Sequence, residues 1–232
     1  MFRFKHFEIE DRHCAMKVGT DGVLLGAWAD IEDDAAILDV GTGTGIVALM
    51  AAQRNAKARV VALDIDGGAV AQARSNIDNT SWRDRVECVC GDIADYKPDI
   101  KFDHIVSNPP YFIETSHSPN RARDMARSAE SLPFEVLVSS AERLLRRGGR
   151  LTVILPADSA RTLRRVAFER LWLRRICSVV TVEGDAPKRV LMEFMLCDEP
   201  LIPRAEELII QHRGGEYSVK YRALTKDFYL NF

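Results

Sequence analysis

The sequence predicts an α/β fold: a seven-stranded, mostly parallel sheet with one antiparallel strand, and helices on both faces. Three observations carry that expectation. An apolar strand (Ala36-Ile37-Leu38) runs into a glycine turn (Asp39–Gly45) and then into a helical stretch (Ile46–Ala52). Strand-like and helix-like patterns then alternate, as repeated strand–helix–strand units do. Four strands end in polar residues, Asp39, Asp64, Asp92 and Asn108, that would line up along one carboxyl edge of a sheet.

The elements follow in order. The first ten residues alternate loosely, and residues 12–19 are expected to form the return arm of a hairpin. Thr20-Asp21 opens a helix whose short apolar face is Val23, Leu24, Ala27 and Trp28. Residues 1–35 are too few for a domain, so they are expected to cover the cleft of a catalytic core spanning 36–198, with 199–232 as a C-terminal tail of the same domain. Strands are expected near 36–40, 59–64, 85–90, 102–107, 150–155, 174–183 and 189–197, and helices near 46–55, 67–79, 132–147 and 158–171. Gly184-Asp185-Ala186-Pro187 is turn-rich and should join the last two strands as a hairpin. Residues 112–131 are polar and without period, which suits a substrate loop.

Composition narrows the setting. With 232 residues, 47% of them hydrophobic, the chain can build one large α/β domain. No apolar run approaches the roughly 18 residues that span a bilayer, and the N-terminus lacks the apolar core of a signal peptide. The five cysteines are odd in number and include no C-x-x-C pair, so they read as reduced thiols of a cytoplasmic protein, with Cys14 the most exposed. No histidine has ligand spacing, and no metal is expected. The net charge of −2 conceals an asymmetry. Residues 1–120 hold 12 Lys and Arg against 19 Asp and Glu, whereas residues 121–189 hold 15 against 8. So basic a middle third, beginning just past Asn108-Pro109-Pro110-Tyr111, points to a polyanion beside the site, with Arg121, Arg123 and Arg127 as its first contacts.

Two motifs carry chemistry. In the glycine turn, Gly41, Gly43 and Gly45 permit a tight bend and close backbone approach, while the following helix presents unpaired N–H groups. Ile46 stands where a dinucleotide fingerprint would want its third glycine, so a nicotinamide-binding turn is off-pattern but open. Asp64 lies about 20 residues on, where a ribose-binding acid belongs. In the second motif, Pro109-Pro110 cannot continue a sheet ladder and forces a stiff, extended exit. Asn108 then offers a side-chain carbonyl, Pro109 a backbone carbonyl and Tyr111 a flat ring: a receptor for a planar group bearing an NH2.

Taken together, Asp39–Gly45, Asp64, Asp92 and Asn108–Tyr111 resemble the class I S-adenosylmethionine-dependent methyltransferases that modify exocyclic amines. The resemblance covers about residues 36–156 and implies a Rossmann-like fold with S-adenosyl-L-methionine as cofactor. It implies that Asp39, Gly41, Gly43 and Gly45 hold the methionine part of that cofactor, Asp64 with Ile65 its ribose, and Asp92 with Ile93 its adenine. Asn108, Pro109 and Tyr111 would hold the target amine, with Asn108 also bordering the cofactor, and Thr20 would line the methionine end. The runs Arg12–Trp28 and Tyr221–Tyr229 resemble the bacterial members of that family that form N6-methyladenosine at position 37 of the tRNA1(Val) anticodon loop. This implies tRNA as partner; a monomer is expected. The competing readings are an amine methyltransferase for another RNA or a protein glutamine, a nicotinamide-dependent oxidoreductase, and a catalytically silent RNA-binding domain.

Overall fold

The computed structural model describes residues 1–11, 18–109 and 132–231. A short antiparallel hairpin, β1 (Phe2–Arg3) and β2 (Glu8–Ile9), opens the chain. The Phe4 N–H bonds the Phe7 carbonyl and closes this turn; of the stretch 12–19 expected as a return arm, residues 12–17 lie outside the described residues. Helix α1 (Thr20–Trp28) follows, then β3 (Ala36–Val40), α2 (Ile46–Arg54), β4 (Arg59–Asp64), α3 (Gly67–Asp78), β5 (Val86–Cys90) and β6 (Phe102–Ser107). After residue 131 come α4 (Phe134–Leu144), β7 (Leu145–Pro156), α5 (Ala160–Ala167), β8 (Trp172–Val182), β9 (Arg189–Met195), β10 (Arg204–Gln211) and α6 (Val219–Thr225).

Strands β3 to β10 form one sheet in the order β10-β8-β9-β7-β6-β3-β4-β5. Only β9 runs against the rest, pairing antiparallel with both β7 and β8. The expected mostly parallel sheet with one reversed strand is present, and it carries an eighth strand. That strand, β10, pairs parallel with β8 and lies within the stretch expected as a tail. It is an edge strand with Leu208 as its one buried side chain, so its sequence lacks the apolar run of the central strands.

Both sheet faces are covered. Ile37, Val60, Ala62, Val106 and Leu191 meet α1 and α2 on one face, while Leu38, Leu63, Ile105, Val153 and Phe194 meet α4 and α5 on the other. Helix α1 packs against α2 unusually closely through Gly22 and Gly26. A Cβ at Gly26 would lie 2.7 Å from the Met50 sulfur. Helix α4 stops at Leu144, short of the expected end at 147, because Leu145 already has extended backbone and begins β7. Helix α5 ends at Ala167, and two residues later Glu169 has a φ of 65°, which ends the helical run well before the expected 171.

Beneath α1 a row of buried polar groups crosses the sheet. His104 bonds Asp34 through Nδ1 at 2.9 Å and Thr152 through Nε2 at 2.7 Å, and Glu193 lies between Thr152, Arg174 and Arg175. Burial opposes ionisation of Glu193, but the two guanidiniums outweigh it and hold its pKa at about 2. The Arg175 guanidinium also sits 4.0 Å over the Trp28 ring. The row ties α1 to the far half of the sheet. The aromatic–basic C-terminal segment packs as well: Tyr221 and Phe228 are buried, with Tyr229 against Phe4. Of the cysteines within the described residues, Cys177 is buried and Cys90 is exposed at the end of β5; Cys14 falls outside those residues.

Candidate active site

The polar strand ends do meet on one edge. Because β3, β4, β5 and β6 are parallel neighbours, Asp39, Asp64, Gly91-Asp92 and Asn108 come to the same rim. The chain passes from β3 outward to β4 and β5, then returns to β6 on the other side of β3. That reversal opens a crevice above β3 and β6, where open α/β sheets bind ligands.

The glycine loop fills the near side of this crevice. Gly41, Gly43 and Gly45 have φ of 70°, 54° and 82°, a region that L side chains rarely adopt. A Cβ at Gly41 or Gly43 would meet no atom within 4 Å, so both face open space rather than packed core. The loop is braced from behind. The N–H groups of Gly41 and Thr42 donate to the Leu63 carbonyl, and Asp39 Oδ2 accepts from the Thr42 hydroxyl at 2.6 Å and the Ala48 N–H at 3.1 Å. Asp39 is almost wholly buried, and burial pushes its pKa up to about 7; the Thr42 and Ala48 donors pull against that rise, and the charge of Asp64 adds to it. A group so enclosed braces the turn that the glycines form.

Asp64 touches the loop directly. Its Oδ2 accepts from the Gly43 N–H at 2.8 Å and its Oδ1 from the Asp66 N–H at 3.0 Å. The carboxylate is half-buried at the mouth of the crevice and retains acceptor capacity on both oxygens. Ile65 beside it is 67% exposed, an apolar side chain held at the rim. Asp92 is exposed, with Oδ1 accepting from the Ala94 N–H. Ile93 is packed in the core next to Asp92, its carbonyl held by Arg143.

On the β6 side, the Ser107 hydroxyl donates to the Val40 carbonyl at 2.9 Å and locks the end of β6 to the end of β3. Asn108 is half-buried and Pro109 buried immediately beyond it, one and two residues past the last ladder pair, Val40 with Ser107. Pro110 and Tyr111, and the basic residues Arg121, Arg123 and Arg127, lie outside the described residues. Thr20 is exposed at the first position of α1 with Gly19 as the cap residue, and Gly22 packs on Ile46, so α1 begins beside the start of α2.

One positioning residue carries no sequence signal. Asn76 of α3 is buried; its Nδ2 donates to the carbonyls of Thr44 and Glu10, and its Oδ1 accepts from the Glu10 N–H. It clips the N-terminal segment to the glycine loop. A lone Asn inside a helix reads from sequence as any polar residue.

The rim offers an acid with acceptor capacity, Asp64, beside glycines whose Cβ positions face open space, features that suit a nucleoside-bearing cofactor with an amino-acid tail. Comparison with known proteins points the same way. Residues 18–166 match the methyltransferase small domain family. The chain is 44% identical to the tRNA1(Val) (adenine(37)-N6)-methyltransferase of Bacteroides thetaiotaomicron, over 99% of this chain and 97% of that one. It is 42% identical to the protein of the same name from Actinobacillus pleuropneumoniae, with the same coverage. Among solved structures, a protein described as a predicted O-methyltransferase from Agrobacterium tumefaciens superposes with a TM-score of 0.72 at 21% identity, covering 90% of this chain and 96% of that one. The N-methyltransferase NodS of Bradyrhizobium japonicum, in complex with S-adenosyl-L-homocysteine, gives 0.51 at 18% identity, over 70% of this chain and 78% of its own.

Proposed function

The chain belongs to the methyltransferase small domain family, and from that membership we propose that it methylates the exocyclic N6 of adenine 37 in tRNA1(Val), using S-adenosyl-L-methionine. The observation that carries this reading is near-full-length identity of 42–45% to proteins of that one name, joined to the Asn108-Pro109 strand end beside an open glycine loop. The cofactor supplies a methyl group bound to a positively charged sulfur.

The chain's own residues would do the rest by placement. Gly41 and Gly43 admit the cofactor's tail, Asp64 accepts from its ribose hydroxyls beside Ile65, and Asp92 with the backbone of Ile93 borders its adenine. Asn108 Oδ1 and the Pro109 carbonyl each accept one N–H of the target amine. Held so, the nitrogen is drawn out of conjugation and its lone pair points at the methyl group. No strong base is needed, because the surplus proton leaves once the methyl has moved. Tyr111, by the motif, stacks on the base and sets its distance. An adenine in a loop enters such a pocket at little cost, since it has no pairing partner to lose. Arg121, Arg123 and Arg127 meet the tRNA backbone in this account, and the enzyme works as a cytoplasmic monomer, where its tRNA is. No helix among the described residues is long and apolar enough to cross a membrane.

Incubation with methyl-labelled cofactor and total tRNA, followed by nucleoside analysis, tests the reading. Label is expected in N6-methyladenosine. Label in protein glutamine instead, or tight NAD binding with no response to S-adenosylhomocysteine, would overturn it.

A further inference from the structure

The 15 basic residues of 121–189 divide sharply once their surroundings are known. Arg146, Arg147, Arg150, Arg170, Arg174, Arg175 and Arg189 each pair with a carboxylate, to Asp103, Asp198, Asp34, Glu142, Glu193 (for both Arg174 and Arg175) and Asp21 respectively. Arg143 is spent on the carbonyls of Tyr96 and Ile93. These cations hold the fold together and have little charge to offer a ligand. Four remain among the described residues. Lys188 shares its hairpin with Glu183 and Asp185. The other three, Arg161, Arg164 and Arg165, stand together on α5, all exposed and without an ion-pair partner.

Their placement costs the isolated protein stability. Leu163 and Ala167 turn the opposite face of α5 into the core, which leaves the three arginines at i, i+3 and i+4 on one outward face. Like charges at that spacing repel, and Arg161 in the first turn sits at the positive end of the helix dipole. Of the two carboxylates of α4, Glu142 pairs with Arg170 and Glu135 lies in the first turn, and among the described residues neither forms an ion pair with the stripe. Only Asp158 and Glu169 flank the stripe at its two ends. A guanidinium cluster kept unpaired is suited to bidentate contact with phosphates.

Topology puts this face beside the site. Strand β7 is the parallel neighbour of β6, with Ser107 opposite Val153, so Pro156 reaches past the strand end that carries Asn108. Helix α5 starts four residues later at that same rim and runs back along the outside of the sheet. Arg161 is therefore on the order of 15 Å from the rim above β6, one strand spacing plus one helix layer away. Arg164 and Arg165 lie one turn further from it.

We infer that the Arg161–Arg164–Arg165 face of α5 is a second RNA contact, which grips backbone phosphates of the stem that carries the target loop. The inference rests on the tRNA reading above. It adds a fixed surface on the catalytic core that sets the angle of the stem, while the target base is taken at the rim.

The test is equilibrium binding of full-length tRNA at several salt concentrations, with methylation kinetics, for a triple Arg→Gln variant (R161Q, R164Q, R165Q) and a triple Arg→Lys variant. The Gln variant should bind tRNA about tenfold or more weakly near 0.1 M salt, with a salt slope shallower by about 2. Its S-adenosylhomocysteine affinity and its kcat at saturating tRNA should be unchanged, and the Lys variant should keep most of the affinity. Unchanged tRNA affinity and slope in the Gln variant, while the wild type methylates tRNA, would overturn this inference and leave the functional reading standing. A Lys variant as weak as the Gln one, or loss of S-adenosylhomocysteine binding in either, would mark the effect as structural and also overturn it. A wild type that methylates no tRNA would remove both.

Discussion

Asn108 is the residue on which the proposed chemistry turns. It ends β6 beside the glycine loop, and the Ser107 hydroxyl on the Val40 carbonyl fixes the strand end that presents it. Asn108→Ala should leave S-adenosylhomocysteine and tRNA affinities near native, while single-turnover methyl transfer falls on the order of a hundredfold or more. Near-native transfer would mean the amine is held elsewhere. In the proposed function Asp64 acts on binding: Asp64→Ala would remove an acceptor for the ribose hydroxyls, and it removes the brace on the Gly43 N–H. Calorimetry should show cofactor affinity weakened by about 1–3 kcal/mol in a folded variant. Asp39 makes a pH prediction. Its pKa rises from 3.8 in the unfolded chain to about 7 in the fold, so the folded state holds the extra proton between those values. Its contribution to stability is then full below pH 4 and lost as pH rises through about 7, a swing of up to about 4 kcal/mol. Asn keeps an acceptor for Thr42 and Ala48 without the charge. Urea midpoints of Asp39→Asn should therefore gain on wild type as pH goes from 5 to 8; a constant difference would contradict the shift.

These residue roles were legible to different depths, and the element scale explains why. Asp39–Gly45 and Asn108-Pro109 are contiguous motifs at strand ends, so their place on the rim follows from strand order alone. Ile93 was half legible: its position next to Asp92 could be read, but its burial under α4, with Arg143 on its carbonyl, depends on a helix some fifty residues away in sequence. Asn76 and the His104 row are contacts between distant segments and leave no local pattern. Strand β10 was missed because an edge strand buries little, and Arg204-Ala205-Glu206-Glu207 looks like a solvated tail. At the helix level, α1 and α2 approach closely because Gly22 and Gly26 have no Cβ. Gly26→Ala should destabilise by about 1–3 kcal/mol through overpacking on Met50, less a few tenths to about 1 kcal/mol of helix propensity. Chemical denaturation of the single and of the double variant with Met50→Ala would show the coupling. Independent, additive effects would mean that the two side chains do not meet.

Across the whole molecule, charge and topology divide the labour. Among the described residues, most arginines of the basic third are consumed in tying β6, β7, β8 and β9 to α1 and the loops, and those that remain unpaired lie along the outer face of α5. The sheet brings the glycine loop and the Asn108 strand end together at its point of reversal, and Gly22 of α1 and Asn76 of α3 clamp that loop. Such a frame can position two reactants without supplying acid, base or metal. The most direct test of that claim is methyl transfer from labelled S-adenosyl-L-methionine to a tRNA1(Val) transcript with adenine at position 37 and to the same transcript with guanine there. The account predicts about one methyl per tRNA on the first, released on digestion as N6-methyladenosine, and none on the second. Equal labelling of both transcripts, or label in any other nucleoside, would contradict it.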